Sequence, residues 1–448
     1  MKLGTEKISK LLWQLSIPAI LGMLSSAIFN LADRYFVAKI SPEALTAVGI
    51  TMPVQILQMA FILLLGIGTS SLISIKLGEG KTKEAESILW LALKYIVIFL
   101  VSFALLFLIF LDPILSLLSI KDKLVWNYAR MYITIIIIGS IPGIPGYCLN
   151  NSLRSIGKAS VSMKVIAVTS LLNIILDPIF IFTFKMGIAG AALATVISQT
   201  TLTVYVIYAF IKREDFAIHL KFKKVKDEFI LLKESIRLGI PSFFVQIFAT
   251  VVNLILNTSL VKYGSDMDVA ALTLMSGIFS FYHMVVVGLV QGNNAICGYN
   301  WGAKLYKRVQ KSLKLSLLYS FLLSFALFLV IMLYPQALIG RLTDNPLLVD
   351  LTCKGIRYYL LMLPLIGPQT VSAQYFQVVG KPRLSSFLAF FRYGIIIIPS
   401  IIILAPRMGA KGVYISNAIS DGLASLIALC FIIYELIRLG KPDYEAKP

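Results

Sequence analysis

Long apolar runs, broken by short polar segments, recur along the whole 448-residue chain. A run of about 20 apolar residues is long enough to cross the hydrocarbon core of a bilayer as a helix. On this criterion the pattern predicts an all-α polytopic membrane protein with twelve transmembrane helices. Their centres lie near residues 25, 64, 99, 138, 172, 199, 249, 284, 322, 366, 394 and 422.

The composition agrees with a membrane protein: 58% of the residues are hydrophobic and only 14% are charged. Soluble domains carry about 25% charged residues. The cysteines are far apart and show no metal-ligand spacing, so we interpret them as packing residues. They are Cys148, Cys297, Cys353 and Cys430. The N-terminal segment runs directly into a long apolar stretch, so we expect no cleavable signal peptide.

The net charge of +19 is concentrated in loops on one side of the predicted helices. These basic segments cover residues 2–10, 76–83, 154–164, 212–236, 304–314, 381–383 and 438–447. The opposite loops mix scattered basic residues with acids. Cytoplasmic loops carry the excess of Lys and Arg, so we predict a protein of the cell inner (plasma) membrane with both termini cytoplasmic. Loops of this kind do not indicate nucleic-acid binding.

The chain also repeats itself. "LSIPAILGMLSSAIFNLADRYFVAKI" from Leu15 aligns with "LGIPSFFVQIFATVVNLILNTSLVKY" from Leu238, and "KMGIAGAALATVIS" from Lys185 aligns with "RMGAKGVYISNAIS" from Arg407. Shorter matches lie between them in the same order. We predict two pseudo-symmetric six-helix lobes, at residues 1–211 and 237–448, joined by a basic cytoplasmic linker at 212–236. Duplicated halves of this kind are typical of transporters.

Two aspartates lie inside predicted helices of the first half: Asp33 in "NLADRYF" and Asp177 in "NIILDP". An aspartate at the centre of a membrane helix costs roughly 2.5–3.5 kcal/mol, which makes it a functional candidate. Asn173 shares a helix face with Asp177, and Pro178 frees a backbone carbonyl one turn back. Such oxygens suit Na⁺, and a carboxylate removed from water otherwise binds a proton. We therefore predict a coupling-ion site for H⁺ or Na⁺.

The second half does not repeat these acids: Leu256 aligns with Asp33, and "IIIIPS" aligns with the Asp177 segment. Asp421 and Arg392 are the exceptions, and we interpret them as interfacial or paired. The alternative for Asp33 is a position near the outer interface, or neutralisation by Arg34. The pattern places the coupling chemistry in the N-terminal half.

Several stretches resemble the multidrug and toxin extrusion (MATE) transporters. They are the "IP" that opens the first and seventh helices, "NLAD", "GIGTSSLISIKLGEG", "LNNSLRSIGKA", and "NIILDPIFIF" followed by "MGIAGAALATVIS". The acid-bearing pattern is most similar to the DinF-like prokaryotic branch. The resemblance implies secondary active efflux of organic cations or drugs, in exchange for inward H⁺ or Na⁺, by alternating access.

The resemblance also implies which residues bind the coupling cation in the N-lobe: Asp33, Asn150, Asn173, Asp177 and Thr195. Of these, Asp33, Asn173 and Asp177 are the candidates for holding Na⁺. The chain departs from the family at Arg34, where a small polar residue is commoner. It also lacks the seventh-helix glutamate and tenth-helix aspartate of the branch that has acids in its second lobe.

Family substrates bind in the cleft between the lobes, where aromatic and Met side chains provide cation–π and adaptable contacts. The candidates for lining it are Tyr35, Gln55, Met59, Met275, Tyr282 and Met284, and packing or lipid contact is the alternative for each. We expect small organic cations and the bilayer as partners, a monomer, no nucleic acid, and no cofactor besides the coupling ion.

Two other classes of protein fit the sequence less well. A lipid-linked oligosaccharide flippase of the same superfamily would need a basic cavity, and Arg34 and Arg392 keep that alternative open. An enzyme is not expected, because the only histidines are His219 and His283, and no HExxH or GxSxG motif occurs. The chain has no Walker motif, so we do not expect ATP-driven pumping.

Overall fold

A computed structural model describes residues 2–117, 120–222 and 224–441, and every regular element among them is a helix. The first half contains α1 (Ile8–Ala38), α2 (Pro42–Gly78), α3 (Thr82–Ile109), α4 (Leu111–Leu117), α5 (Lys123–Gly143), α6 (Pro145–Ser155), α7 (Ala159–Pro178) and α8 (Ile188–Lys212). The second contains α9 (Glu228–Tyr263), α10 (Asp266–Gly302), α11 (Tyr306–Leu333), α12 (Pro335–Ile339), α13 (Pro346–Tyr359), α14 (Leu363–Val378), α15 (Pro382–Phe390), α16 (Ile397–Met408) and α17 (Ala410–Leu439). Two π-helical segments, Ile179–Thr183 and Phe391–Ile396, follow α7 and α15.

Eleven of the helical segments within the described ranges are long and apolar enough to cross a membrane. The remaining predicted span, centred near residue 366, is formed by α13 and α14 together. The helix is interrupted at residues 360–362, and Pro364 lies in the first turn of α14. Proline is well suited to a helix start because it lacks the N–H that would have no partner there. The predicted twelve-helix fold is confirmed, with its tenth span built from two helices.

The chain divides into two compact units. The first unit is Leu21–Gly239, and the second is Lys2–Ile20 together with the chain from Ile240 onward. Consequently α1 begins in the second unit and ends in the first, whereas α9 begins in the first and ends in the second. The core of the first unit includes Phe107, Ile133 and Ala191. That of the second includes Leu313, Ile366 and Val413.

The two halves repeat the same backbone geometry where their helices turn. Three pairs of residues, about 223 positions apart, adopt positive φ angles just after or between equivalent helices. The pairs are Gly80 (77°) with Lys304 (59°), Gly157 (81°) with Gly380 (81°), and Gly187 (54°) with Gly409 (60°). Positive φ is the conformation that only glycine adopts without steric cost. The repeat predicted from sequence is therefore present in the structure of each half.

Lys304 is the member of these pairs that is not glycine. Its φ of 59° places a side chain in the left-handed region, which costs roughly 1–2 kcal/mol. We expect Lys304→Gly to stabilise the protein by about 0.5–1 kcal/mol, because glycine's greater freedom in the unfolded chain offsets part of the gain. The apparent midpoint of thermal unfolding in detergent checks this. The reciprocal change, Gly80→Lys, should lower the midpoint, and a rise would contradict the geometry.

The linker between the halves is bound to the first unit. The buried carboxylate of Glu86 accepts a hydrogen bond from the backbone N–H of His219 at 3.3 Å. Asp215 accepts one from Lys158 Nζ at 2.6 Å. Hydrogen bonds from Lys158 and Arg213 lower the pKa of Asp215 to about 2. The described part of the linker is thus a packed segment of this unit, held by carboxylates.

Candidate cation site in the first unit

Helix α7 carries two buried polar side chains among apolar neighbours. Asn173 and Asp177 are 1% and 0% exposed, and their spacing of four places them on one face. The α-helix ends at Pro178 and continues as the π-helical segment Ile179–Thr183. Segments of this type occur frequently at functional sites. The disruption expected at the proline is therefore a change of helix type directly after the carboxylate.

Asn173 connects Asp177 to helix α8. When its amide is oriented to satisfy both neighbours, the nitrogen donates to Asp177 Oδ2 at 3.0 Å and the oxygen accepts from the Thr195 N–H at 3.3 Å. The approach of α8 depends on Gly190, where a Cβ atom would lie 2.7 Å from the carbonyl carbon of Phe180. The structure thus brings three of the five predicted residues together.

Asp33 adds a second carboxylate from α1. Its Oδ1 is buried and has no hydrogen-bond partner among the described residues, and its charge is close enough to act on Asp177. Two neighbouring carboxylates repel each other when both are ionised, so a cation or proton is favoured between them. The arrangement is an acidic, cation-attracting site buried within the first unit.

Tyr132 on α5 was not identified from the sequence. Its side chain is 4% exposed, and it interacts electrostatically with both Asp33 and Asp177. The available signal was a single phenol within the isoleucine-rich stretch "MYITIIII". A buried tyrosine usually needs a polar partner for its hydroxyl group, and the charged groups that act on it are the two acids and Arg34.

Two further predictions concern residues around this site. Asn150 is buried on α6, and its Oδ1 has no hydrogen-bond partner within the described ranges. The Arg34 side chain is exposed and points its Nη2 to the Met52 sulfur at 3.9 Å. In the described part of the chain it forms no ion pair with Asp33 within 4.0 Å. Neutralisation of Asp33 by a direct bridge to Arg34 is thus not seen.

The six candidates for the substrate cleft differ in their exposure. Tyr35 and Met59 are 59% and 41% exposed, and Gln55 is half-buried and donates to Thr51 Oγ1. In the second unit Met284 is half-buried, whereas Met275 and Tyr282 lie in the hydrophobic core. Their assignment to a cleft stays a prediction.

Within the described ranges, no group of three or more His, Cys, Asp or Glu side chains is placed to hold a metal ion. The four cysteines are free thiols. A sodium ion at this site would therefore be held by carboxylate, amide and hydroxyl oxygens, which are the hard ligands that such ions prefer.

Twelve helices in two repeated halves, with buried carboxylates inside the first, define a polytopic membrane transporter. The MatE family model matches residues 18–179 and 241–403, one stretch in each half, and the chain belongs to this family. The first stretch includes Asp33, Asn150, Asn173 and Asp177. The chain is therefore a MATE family transporter.

Its relatives include two curated multidrug export proteins named MepA. The protein from Staphylococcus haemolyticus is 25% identical over 432 residues, covering 96% of this chain and 94% of the relative. The one from Staphylococcus aureus (strain MRSA252) is 26% identical over 437 residues, with the same coverage.

Solved structures share the fold along nearly the whole chain. An outward-facing multidrug resistance MATE family transporter of the MOP superfamily matches with a TM-score of 0.91 and 25% identity, covering 98% of both chains. A MOP superfamily transporter from Pyrococcus furiosus, described as having a binding pocket of reverse polarity, matches with the same score, identity and coverage.

Proposed function

We propose that this protein exports organic cations or drugs in exchange for inward H⁺ or Na⁺, and that the coupling ion binds at Asp177. The observation that carries the proposal is the environment of this carboxylate. Asp177 is 0% exposed within a membrane-spanning helix, and its hydrogen-bond partner is the neutral amide of Asn173. A buried charge needs a counter-charge, and a mobile cation or proton supplies it here.

The pair of carboxylates gives the site two states. Without a cation, the charges of Asp33 and Asp177 repel each other and favour separation of α1 from α7. With a proton or Na⁺ bound, that repulsion is removed and close packing is favoured. Coupling requires that the ion and the cargo stabilise different conformations. Ion binding would therefore change the conformation through the packing of α1 against α7.

Asn173 and Thr195 provide oxygen atoms around Asp177, and Asn150 is a further amide whose oxygen is available. We place the cation ligands at Asp33, Asn150, Asn173, Asp177 and Thr195. No cofactor besides the coupling ion is required. The names of the MepA relatives support drugs as cargo, and the exposed Tyr35 and Met59 are surfaces suited to apolar cations.

The remaining proposals follow from the sequence pattern. We propose functional lobes at residues 1–211 and 237–448, a cytoplasmic linker at 212–236, both termini in the cytoplasm, and action as a monomer in the plasma membrane. The flippase alternative loses support from Arg392, because this guanidinium is 2.7 Å from Asp421. It therefore provides no unbalanced positive charge for a pyrophosphate.

Transport in proteoliposomes tests the proposal. The purified full chain is reconstituted, ethidium is supplied at equal concentration inside and outside the vesicles, and a sodium gradient or a pH gradient is imposed separately at zero membrane potential. We expect the sodium gradient or the pH gradient to drive ethidium against its own concentration gradient. If both do so, Na⁺ and H⁺ should compete for the same site. Ionophores that collapse the effective gradient should stop the movement. If neither gradient moves ethidium above the rate in protein-free liposomes, the proposed exchange is wrong.

A further inference from the structure

The second unit holds its own buried carboxylate, which the proposed exchange does not use. Asp421 on α17 lies 2.7 Å from Arg392 Nη2, and the two side chains are 2% and 12% exposed. Of the two alternatives given by the sequence, interfacial or paired, the structure shows a pair. Asn417 Nδ2 donates to Asp421 Oδ2 at 3.1 Å. Within the described ranges, Asp421 is the only carboxylate within 4.0 Å of the Arg392 guanidinium.

This pair lies on the helices that correspond to those of the Asp177 site. Aligning "MGIAGAALATVIS" with "MGAKGVYISNAIS" pairs Thr195 on α8 with Asn417 on α17. The structure supports that register, because Gly187 and Gly409 precede these two helices with φ angles of 54° and 60°. Asp421 is one turn beyond Asn417. Thr195 and Asn417 thus occupy the same register of equivalent helices, whereas the buried aspartates lie on different ones, Asp177 on α7 and Asp421 on α17.

The helices opposite are also equivalent. Asp177 directly precedes the π-helical segment Ile179–Thr183 of the first unit. Arg392 lies within the π-helical segment Phe391–Ile396 of the second, six residues before Ile398, the position that aligns with Asp177. In the first unit the carboxylate of Asp177 faces the neutral amide of Asn173. In the second unit the buried carboxylate faces a guanidinium, which stays protonated under all physiological conditions.

The other titratable groups near the pair do not supply a second positive charge that could balance Asp421. Tyr282 and Tyr359 interact electrostatically with both members, and the ring of Tyr393 lies 5.0 Å from the Arg392 guanidinium. His283 interacts with Arg392 but not, by any described contact, with Asp421. Arg392 is therefore the group that balances the charge of Asp421.

We propose that Arg392 is a tethered counter-cation that permanently neutralises Asp421, on the helices of the second unit that are equivalent to those of the coupling site. The consequence is that this chain binds a mobile coupling ion at Asp177 and not at Asp421. Removing the guanidinium should convert Asp421 into a second site for H⁺ or Na⁺. The proposal rests on the proposed function only for the identity of the first site, since the second is defined by its own residues.

The test is a count of cations bound by the detergent-purified full chain. Radioactive sodium binding at fixed pH gives the bound Na⁺, and difference acid–base titration gives the bound protons. We expect Arg392→Gln to bind one cation more than the parent, and Arg392→Gln with Asp421→Asn to lose that gain. Arg392→Lys, which keeps a positive charge, should bind the same number as the parent. An Arg392→Gln count equal to that of the parent overturns the proposal.

Two further variants separate this proposal from the function proposed above. Asp177→Asn should bind one cation fewer than the parent. If it binds as many cations as the parent, the proposed coupling site at Asp177 is wrong. The variants at Arg392 and Asp421 still test the second proposal. If Arg392→Gln does not fold, the decisive variant is Asp421→Asn in the parent. It should leave the count unchanged, and the loss of a cation would show that Asp421 already binds a mobile ion.

Discussion

Asp177→Asn is expected to reduce gradient-driven efflux of ethidium by roughly 5- to 150-fold, the range that a coupling free energy of 1–3 kcal/mol produces. Asparagine has nearly the same shape and can keep a hydrogen bond to Asn173, but it carries no charge. A mobile cation would then have no reason to enter this 0% exposed position. The measurement is the initial rate of ethidium movement in proteoliposomes, under whichever gradient drives the parent.

Loss of coupling can be distinguished from loss of folding by measurement. The Asp177→Asn variant should still exchange ethidium for ethidium when no gradient is present, because cargo binding does not require the coupling ion. A matched control is Asp344→Asn, which neutralises an exposed carboxylate between α12 and α13 and should transport at the parent rate. If Asp177→Asn also matches the parent, the carboxylate is structural and the proposed coupling site is wrong.

Gly68→Ala should be among the most destabilising small substitutions in the first unit. Helix α2 crosses the beginning of α9 at this glycine, where an added Cβ would lie 2.0 Å from the carbonyl oxygen of Ser235 and 2.9 Å from the nitrogen of Gly239. Both neighbours are backbone atoms, so no side-chain rotation can relieve the overlap. We expect a loss of about 3 kcal/mol, at the upper end for overpacked substitutions. The apparent midpoint of thermal unfolding in detergent measures it.

Gly49→Ala is the matched control, because Gly49 lies on the same helix and its added Cβ would meet nothing within 4 Å. Alanine is the better helix former by about 1 kcal/mol, so this variant should be as stable as the parent or slightly more so. Equal destabilisation by both substitutions would mean that general effects of replacing glycine dominate. The close crossing of α2 and α9 would then be contradicted.

The fold could be predicted from sequence because its signals are local. Apolar runs of bilayer length identify spans, and the internal repeat is carried by turn residues such as Gly187 and Gly409, whose φ angles only glycine adopts easily. The tenth span was harder to predict from sequence, because it consists of two short helices, α13 and α14. The pairing of Asp177 with Asn173 was predictable from a spacing of four on one helix.

Contacts between distant segments could not be predicted in the same way. Tyr132 reaches the acids only because α5 packs beside α8, and nothing in its own helix indicates that position. The sequence could not decide whether Arg392 and Asp421 are interfacial or paired. They are 29 positions apart on different helices, so no helical spacing relates them. Glu86 was not singled out by the sequence pattern, yet its side chain is buried and accepts a hydrogen bond from the linker.

The exchange of helix ends between the two units has a consequence for the two halves as separate chains. Each unit is completed by residues from the opposite half: Lys2–Ile20 belong to the second unit, and the chain up to Gly239 belongs to the first. Two separate six-helix chains with this packing would exchange the starts of their first helices, as domain-swapped dimers do. Here the same exchange takes place within a single chain.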